Sequence, residues 1–313
     1  MKKRLLIIVG PTAVGKTDTS IILAKELNGE IISADSMQIY RYMDIGTAKP
    51  NEEEKKGIPH HLIDIVNPDE EFSVAEFQKI AKNHINRLIE DEKLPIVAGG
   101  TGLYINSLIY DMDFTQSISN WELRGALEAE AREKGNEYVY NKLKQIDPHA
   151  AARIHPNNLK KVIRAIEVYE ETGEKIGDFS TDLNINQEYD VFFVGLTRDR
   201  EELYDRINMR VDAMIEQGLI EEVKNLLSLG YDKNLIAFKG LGYKEIIGYL
   251  EGAYSLEEAM DILKRDTRRY AKRQLTWFRR YENIHWYNLS NYDSCENLAE
   301  CILKDFKGHF NSL

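Results

Sequence analysis

The residues Gly10, Pro11, Thr12, Ala13, Val14, Gly15, Lys16 and Thr17 set two glycines five apart before a lysine and a hydroxyl residue, which is the spacing of a P-loop. The chemistry of that spacing is anion binding. Glycines let successive backbone N–H groups turn into one concavity, and the N-terminus of a following helix adds its positive dipole end. Lys16 would bring a full charge to the outer oxygens of a phosphate chain, and the Thr17 hydroxyl would reach Mg²⁺. Such a loop is the signature of ATP-binding and other nucleotide-binding proteins, but it holds any pyrophosphate, including one that is a leaving group. A second reactive residue, Asp35, closes the run Glu30-Ile-Ile-Ser-Ala34. A carboxylate beside a phosphate cradle can take a proton from an incoming nucleophile.

Placing these groups requires a particular scaffold. Leu5 to Val9 reads as a buried strand, Thr17 to Leu27 as a helix with Ile21, Leu23, Ala24 and Leu27 on one face, and Glu30 to Ala34 as a second strand. In an open parallel sheet the carboxyl ends of the strands line the ligand crevice, so Asp35 is expected near the P-loop. Residues 37–68 lack a clean period and read as a long functional loop with a short helix. The His60-His61 pair within it has no matching third metal ligand, which favours a structural or solvent-facing role. Ser73-Val-Ala-Glu76 is a capping box that starts a helix to about residue 92. Pro95 to Ala98 is a third strand, and it runs into a second Gly-rich turn, Gly99-Gly-Thr-Gly-Leu-Tyr104.

Strand signals then vanish. Residues 115–187 read as a helical insertion, with helices over 121–134, 138–145 and 159–171, and Val191 to Leu196 returns the chain to the sheet. The expected fold is α/β: a P-loop NTPase-like parallel sheet core formed by residues 1–114 and 188–313, with the helical insertion domain at 115–187. A single helix is expected over residues 200–229, with Arg206 and Arg210 four apart on neighbouring positions. Two guanidiniums aimed together suit a pyrophosphate; the alternative is a solvated edge paired with Glu202 or Asp205.

The chain has 313 residues, 43% hydrophobic and 30% charged, with a net charge of −11, so indiscriminate binding to nucleic acid is not expected. Against that background the run Lys264 to Tyr281 carries eight Lys/Arg and one acid, Asp266, a local +7. Tyr270, Trp277, Phe278 and Tyr281 are interleaved with these charges. That pattern suits RNA, with cations for phosphates and rings for bases or core. Cys295 and Cys301 have neither zinc-knuckle nor redox-pair spacing, no run reaches membrane-spanning length, and a cytoplasmic protein is expected.

The P-loop, Ile32-Ser-Ala-Asp-Ser36, Met43-Asp-Ile-Gly-Thr-Ala-Lys-Pro50, Pro59-His-His-Leu-Ile-Asp64 and Gly99 to Tyr104 together resemble the bacterial tRNA dimethylallyltransferase family, also called tRNA isopentenyltransferases. His155-Pro-Asn157, Arg164-Ala165, Gly240-Leu-Gly-Tyr243 and Lys272-Arg-Gln-Leu-Thr-Trp277 extend the resemblance in order along nearly the whole chain. The resemblance implies transfer of a dimethylallyl group from its diphosphate to N6 of the adenosine 3′-adjacent to the anticodon, with diphosphate released. It implies Asp35 as the proton acceptor, Thr17 with Mg²⁺ on the diphosphate, and Arg206 or Arg210 on the leaving group. It also implies tRNA contacts at Asp35, Ser36, Met37, Gln38, Thr101, Arg124, Lys160, Lys161 and Arg164, and in the basic C-terminal part at Lys239, Lys272, Arg273, Gln274 and Trp277. The expected partners are the tRNA anticodon stem-loop and dimethylallyl diphosphate, with the protein a monomer. Rival readings are a small-metabolite kinase, which leaves the basic aromatic run idle, a prenyltransferase for free adenine nucleotides, and a nucleotide-gated RNA-binding protein.

Overall fold

The computed structural model describes residues 2–112, 120–175 and 184–311. The chain forms two compact units, residues 1–109 with 186–313, and residues 110–185. The sequence boundary at 114/115 lies outside the described residues.

In the first unit, β1 (Lys3–Val9) leads through the P-loop into α1 (Lys16–Glu26), then β2 (Gly29–Ala34), α2 (Glu52–Lys55), β3 (His60–His61), α3 (Val74–Glu90), β4 (Leu94–Gly99) and α4 (Gly102–Ile109). The second unit carries α5 (Trp121–Lys134), α6 (Asn136–Ile146), α7 (Pro148–Arg153) and α8 (Leu159–Thr172). The first unit resumes with β5 (Tyr189–Thr197), α9 (Arg200–Glu216), α10 (Leu219–Ser228), α11 (Tyr243–Leu250), α12 (Leu256–Phe278), β6 (His285–Asn288) and α13 (Cys295–Asn311).

All six strands are parallel, in the order β3-β2-β4-β1-β5-β6. A parallel sheet covered on both faces needs strands apolar on both sides. Leu5, Leu6, Ile7, Ile8 and Val9 supply this, all fully buried. Leu6, Ile8, Phe192 and Val194 join Leu203, Ile207, Leu298, Ile302 and Phe306 in one core. A separate cluster packs Ile39, Tyr40 and Met43, from the loop after β2, against Val211, Val223, Tyr243 and Leu263. The second unit has its own core of Leu127, Val139, Leu143, Val162 and Ile166.

Register decides what shares the crevice. Val9 pairs with Gly99, and Gly99 pairs in turn with Ala34. Gly10, Gly100 and Asp35 therefore stand side by side, each one residue beyond the end of its strand.

The helix expected over 200–229 is two helices. Gly218 adopts φ +102° between α9 and α10, a left-handed conformation that ends the first helix. The apolar stripe continues across the break, so its period could not show it. His60 and His61 are not loop residues but the edge strand, paired with Ile31 and Ile32. His61 Nε2 lies 2.6 Å from the Glu30 carboxylate, which Lys93 also engages. The Ser73–Glu76 capping box is present in both of its hydrogen bonds. The basic helix begins eight residues before Lys264, behind a second such box, Ser255 with Glu258.

Candidate active site

The P-loop geometry rests on backbone shapes that glycine allows. Gly10 has φ +155°, and a Cβ there would sit 2.6 Å from the Leu196 carbonyl; Gly15 has φ +113°. Gly15 closes the loop at the N-terminus of α1, so the dipole end of the helix faces the cradle. Lys16 Nζ donates to the carbonyls of Gly10 and Pro11 at 3.0 and 2.8 Å. Burial pushes the Lys16 ammonium down to about 8; the Asp35 carboxylate opposes that shift and the Arg210 guanidinium adds to it. Lys16 thus senses both Asp35 and Arg210. A cavity of about 60 Å³ is lined by Lys16, Thr17, Ser20, Ser33, Asp35 and Gln38, among others.

Asp35 is held by its own turn, with Oδ1 accepting from the Met37 N–H at 2.9 Å. Its charge reaches two phenols, the buried Tyr104 on α4 and the half-buried Tyr270 on α12; both have their ionisation pushed up, by desolvation first and by negative neighbours including Asp35 second. Thr101 ties this strand end to the second Gly-rich turn. Its Oγ1 accepts from the Ser36 N–H at 3.0 Å, and its own N–H donates to the Ala34 carbonyl at 3.1 Å.

The two arginines separate. Arg206 donates Nε–H to the Ala13 carbonyl at 3.0 Å and so braces the P-loop. Arg210 makes no hydrogen bond or ion pair among the described residues. Burial and the neighbouring Arg206 lower its hold on its proton, and the Asp18 and Glu54 carboxylates oppose that shift.

With this geometry the comparisons are decisive. Residues 38–281 match the family model described as IPP transferase. The chain belongs to the IPP transferase family. It is 66% identical over 311 residues to the tRNA dimethylallyltransferase of Alkaliphilus metalliredigens, spanning 99% of each chain. It is 58% identical over 304 residues to that of Clostridioides difficile, spanning 97% of each. Among solved structures it resembles the full-length tRNA isopentenylpyrophosphate transferase of Bacillus halodurans, with TM-score 0.75 and 47% identity over 99% of this chain and 98% of that one. It also resembles a eukaryotic dimethylallyltransferase acting on tRNA, with TM-score 0.83 and 32% identity over 98% of this chain and 80% of that one. The chain is therefore a transferase with the P-loop NTPase-like α/β fold of the tRNA prenyltransferases, as its motifs suggest.

The positions that the IPP transferase resemblance links to tRNA divide three ways. Asp35, Ser36, Met37, Gln38 and Thr101 cluster at the ends of β2 and β4, while Lys239, Lys272 and Arg273 are exposed and Trp277 is half-buried in the same unit. Arg124, Lys160, Lys161 and Arg164 belong to the second unit, where Lys160 and Lys161 are exposed on α8. Some of these side chains are already engaged. Arg124 grips Glu167 bidentately at 2.7 and 2.8 Å, and Arg164 reaches the same carboxylate at 2.5 Å. Glu167 is fully buried; the two guanidiniums and the Asn120 N–H hold its carboxyl below the usual range against the opposing effect of burial, the largest single influence. The Gln38 amide accepts from Ser33 Oγ and donates to the Thr47 and Ala48 carbonyls. Gln274, expected at the RNA surface, is instead buried, with its amide on Thr12 and Gly100.

Sequence reasoning missed Glu222. Its carboxylate accepts the consecutive N–H groups of Asp44, Ile45 and Gly46 at 2.9, 2.7 and 3.1 Å, and the Tyr243 hydroxyl at 2.7 Å. It thereby fixes the loop whose next two carbonyls hold Gln38. Nothing in its local sequence marks it, since its three backbone partners lie 176 to 178 residues away.

Proposed function

We propose that this chain transfers a dimethylallyl group from dimethylallyl diphosphate to N6 of the adenosine 3′-adjacent to the anticodon of tRNA, acting as a monomer in the cytoplasm. The observation that carries the reading is the alignment of three strand ends, which sets the P-loop lysine beside Asp35 with the unpartnered Arg210 within electrostatic reach of Lys16. No described helix is long and apolar enough to cross a membrane.

The exocyclic amine of adenine is a weak nucleophile because its lone pair is delocalised into the ring. Asp35 accepts its hydrogen bond and then its proton as the N6–C bond forms. The allylic C–O bond breaks in the same event, and its electron pair leaves with the diphosphate. Lys16, the loop N–H groups and Arg210 meet the charge that gathers there. No phosphoryl group moves.

The residues present fit Mg²⁺. The Thr17 hydroxyl makes no hydrogen bond among the described residues and lines the cavity with Asp35, whose Oδ1 is taken by the Met37 N–H, so the Thr17 oxygen is the one open to a hard cation. Bound there, Mg²⁺ would neutralise the charge of the departing diphosphate. The exposed Lys272, Arg273, Arg279 and Arg280 on and just beyond α12 offer cations to the RNA backbone.

Labelled dimethylallyl diphosphate, incubated with tRNA lacking the modification, tests this. Mg²⁺-dependent label in tRNA and none in AMP supports the reading. Label in AMP alone, or ATP consumption without transfer, overturns it.

A further inference from the structure

Gln274 occupies an unusual place for a residue on a basic helix. It is 6% exposed. Its Oε1 accepts the Thr12 N–H at 2.9 Å, and its Nε2 donates to the Gly100 carbonyl at 3.0 Å. Thr12 offers a donor and Gly100 an acceptor, so only a neutral amide in one orientation satisfies both. One side chain thereby joins the P-loop to the second Gly-rich turn. Gly100 is built around it, because a Cβ there would lie 2.2 Å from Nε2. Three residues on, the Trp277 indole covers Gly102 so closely that a Cβ would lie 2.2 Å from its Nε1. One turn before Gln274, the half-buried Tyr270 senses the charge of Asp35.

The other side of the same helix faces solvent. Lys272 and Arg273, the two residues before Gln274, are exposed, and Lys272 has no ion-pair partner among the described residues. A rigid helix that is clamped to both turns on one side and presents cations on the other is a physical connection between two ligands.

We propose that Gln274 is a positioning residue that couples RNA docking on α12 to the geometry of the diphosphate cradle. The inference rests on the transfer reading above. Both ends of the Gln274 amide are taken up by the protein itself, on the Thr12 N–H and the Gly100 carbonyl. The amide sets the Thr12 peptide plane at the start of the cradle and the Gly100 carbonyl next to the strand end that carries Asp35. RNA seated on the exposed side of α12 bears on the helix as one body and, through Gln274, on both turns together, so the second ligand meets a site already arranged. The coupling must be reciprocal: pyrophosphate tightens RNA by the factor by which RNA tightens pyrophosphate.

The test is calorimetric titration of inorganic pyrophosphate with Mg²⁺, with and without a saturating unmodified anticodon stem-loop, in the wild type and Gln274→Met. In the wild type the RNA should tighten pyrophosphate by at least about fivefold. In Gln274→Met that factor should fall to within about twofold of unity, while RNA affinity alone stays close to wild type and the thermal midpoint falls, because the Thr12 N–H and the Gly100 carbonyl lose their partner. A merely structural residue would lower the midpoint and leave the ratio. Gln274→Glu keeps the acceptor for Thr12, loses the donor to Gly100, and should lose the ratio too; it carries the test if Gln274→Met does not fold. Wild-type coupling in either folded variant, or no coupling in the wild type, overturns the inference. Coupling without prenyl transfer would sink the transfer reading instead.

Discussion

Arg206 donates its Nε–H to the Ala13 carbonyl at 3.0 Å, on the inside of the P-loop. Arg210, one turn further along α9, is left without a hydrogen bond among the described residues, although it is close enough to Lys16 to disfavour its charge. The two guanidiniums that the sequence left equivalent therefore have different work, one bracing the cradle and one free to meet what the cradle holds.

Their variants should differ in kind. If Arg210 meets the leaving group as proposed, the single-turnover rate of transfer in Arg210→Ala should fall about 10²- to 10³-fold. Arg206→Ala loosens the loop, and should weaken diphosphate binding more than it slows the bound complex. Rapid-quench rates at saturating and limiting diphosphate separate the two. Equal losses in both parameters for both variants would contradict the assignment.

Lys16 predicts a pH dependence of binding. Burial holds the free ammonium near 8, so the cation is present below that pH and lost above it. A bound diphosphate favours the charged form and raises the value in the complex. Affinity for dimethylallyl diphosphate should therefore be flat below pH 8 and fall by about tenfold per unit above it, until the value of the complex is reached. Lys16→Met should bind weakly with no break near pH 8. Titrations from pH 7 to 9.5 decide this, and an unbroken wild-type profile would contradict it.

Glu222 should matter to stability and to turnover. Glu222→Ala leaves three backbone donors and the Tyr243 hydroxyl without their acceptor. The expected loss is about 2–3 kcal/mol in urea denaturation. Tyr243→Phe, which removes one of those bonds and no acceptor, should cost about 1 kcal/mol. Glu222→Ala should also slow transfer at saturating substrates, because the loop that it anchors holds Gln38.

The strand ends of the candidate site were legible because their signals are local. A P-loop, a carboxylate closing a strand and a capping box each lie within a few residues, and β1, β2 and β4 follow from apolar runs. Three kinds of information were not local. The His60–His61 edge strand is too short to show a period, and the half-exposed β6 gives no clear alternation. The break at Gly218 sits inside an unbroken apolar stripe, so only the backbone reveals it. The roles of Glu222 and Gln274 depend on backbone partners more than 170 residues away, and Gln274 looks like a surface residue because Lys272 and Arg273 stand beside it.

The most direct test of the account is Asp35→Ala, with the single-turnover rate of dimethylallyl transfer and tRNA affinity measured on the same preparation. If the Asp35 carboxylate takes the N6 proton, the rate should fall about 10²- to 10⁴-fold, with tRNA affinity changed far less. A variant that transfers at the wild-type rate, or that loses activity only in proportion to lost RNA binding, would contradict the assignment of Asp35 as the base.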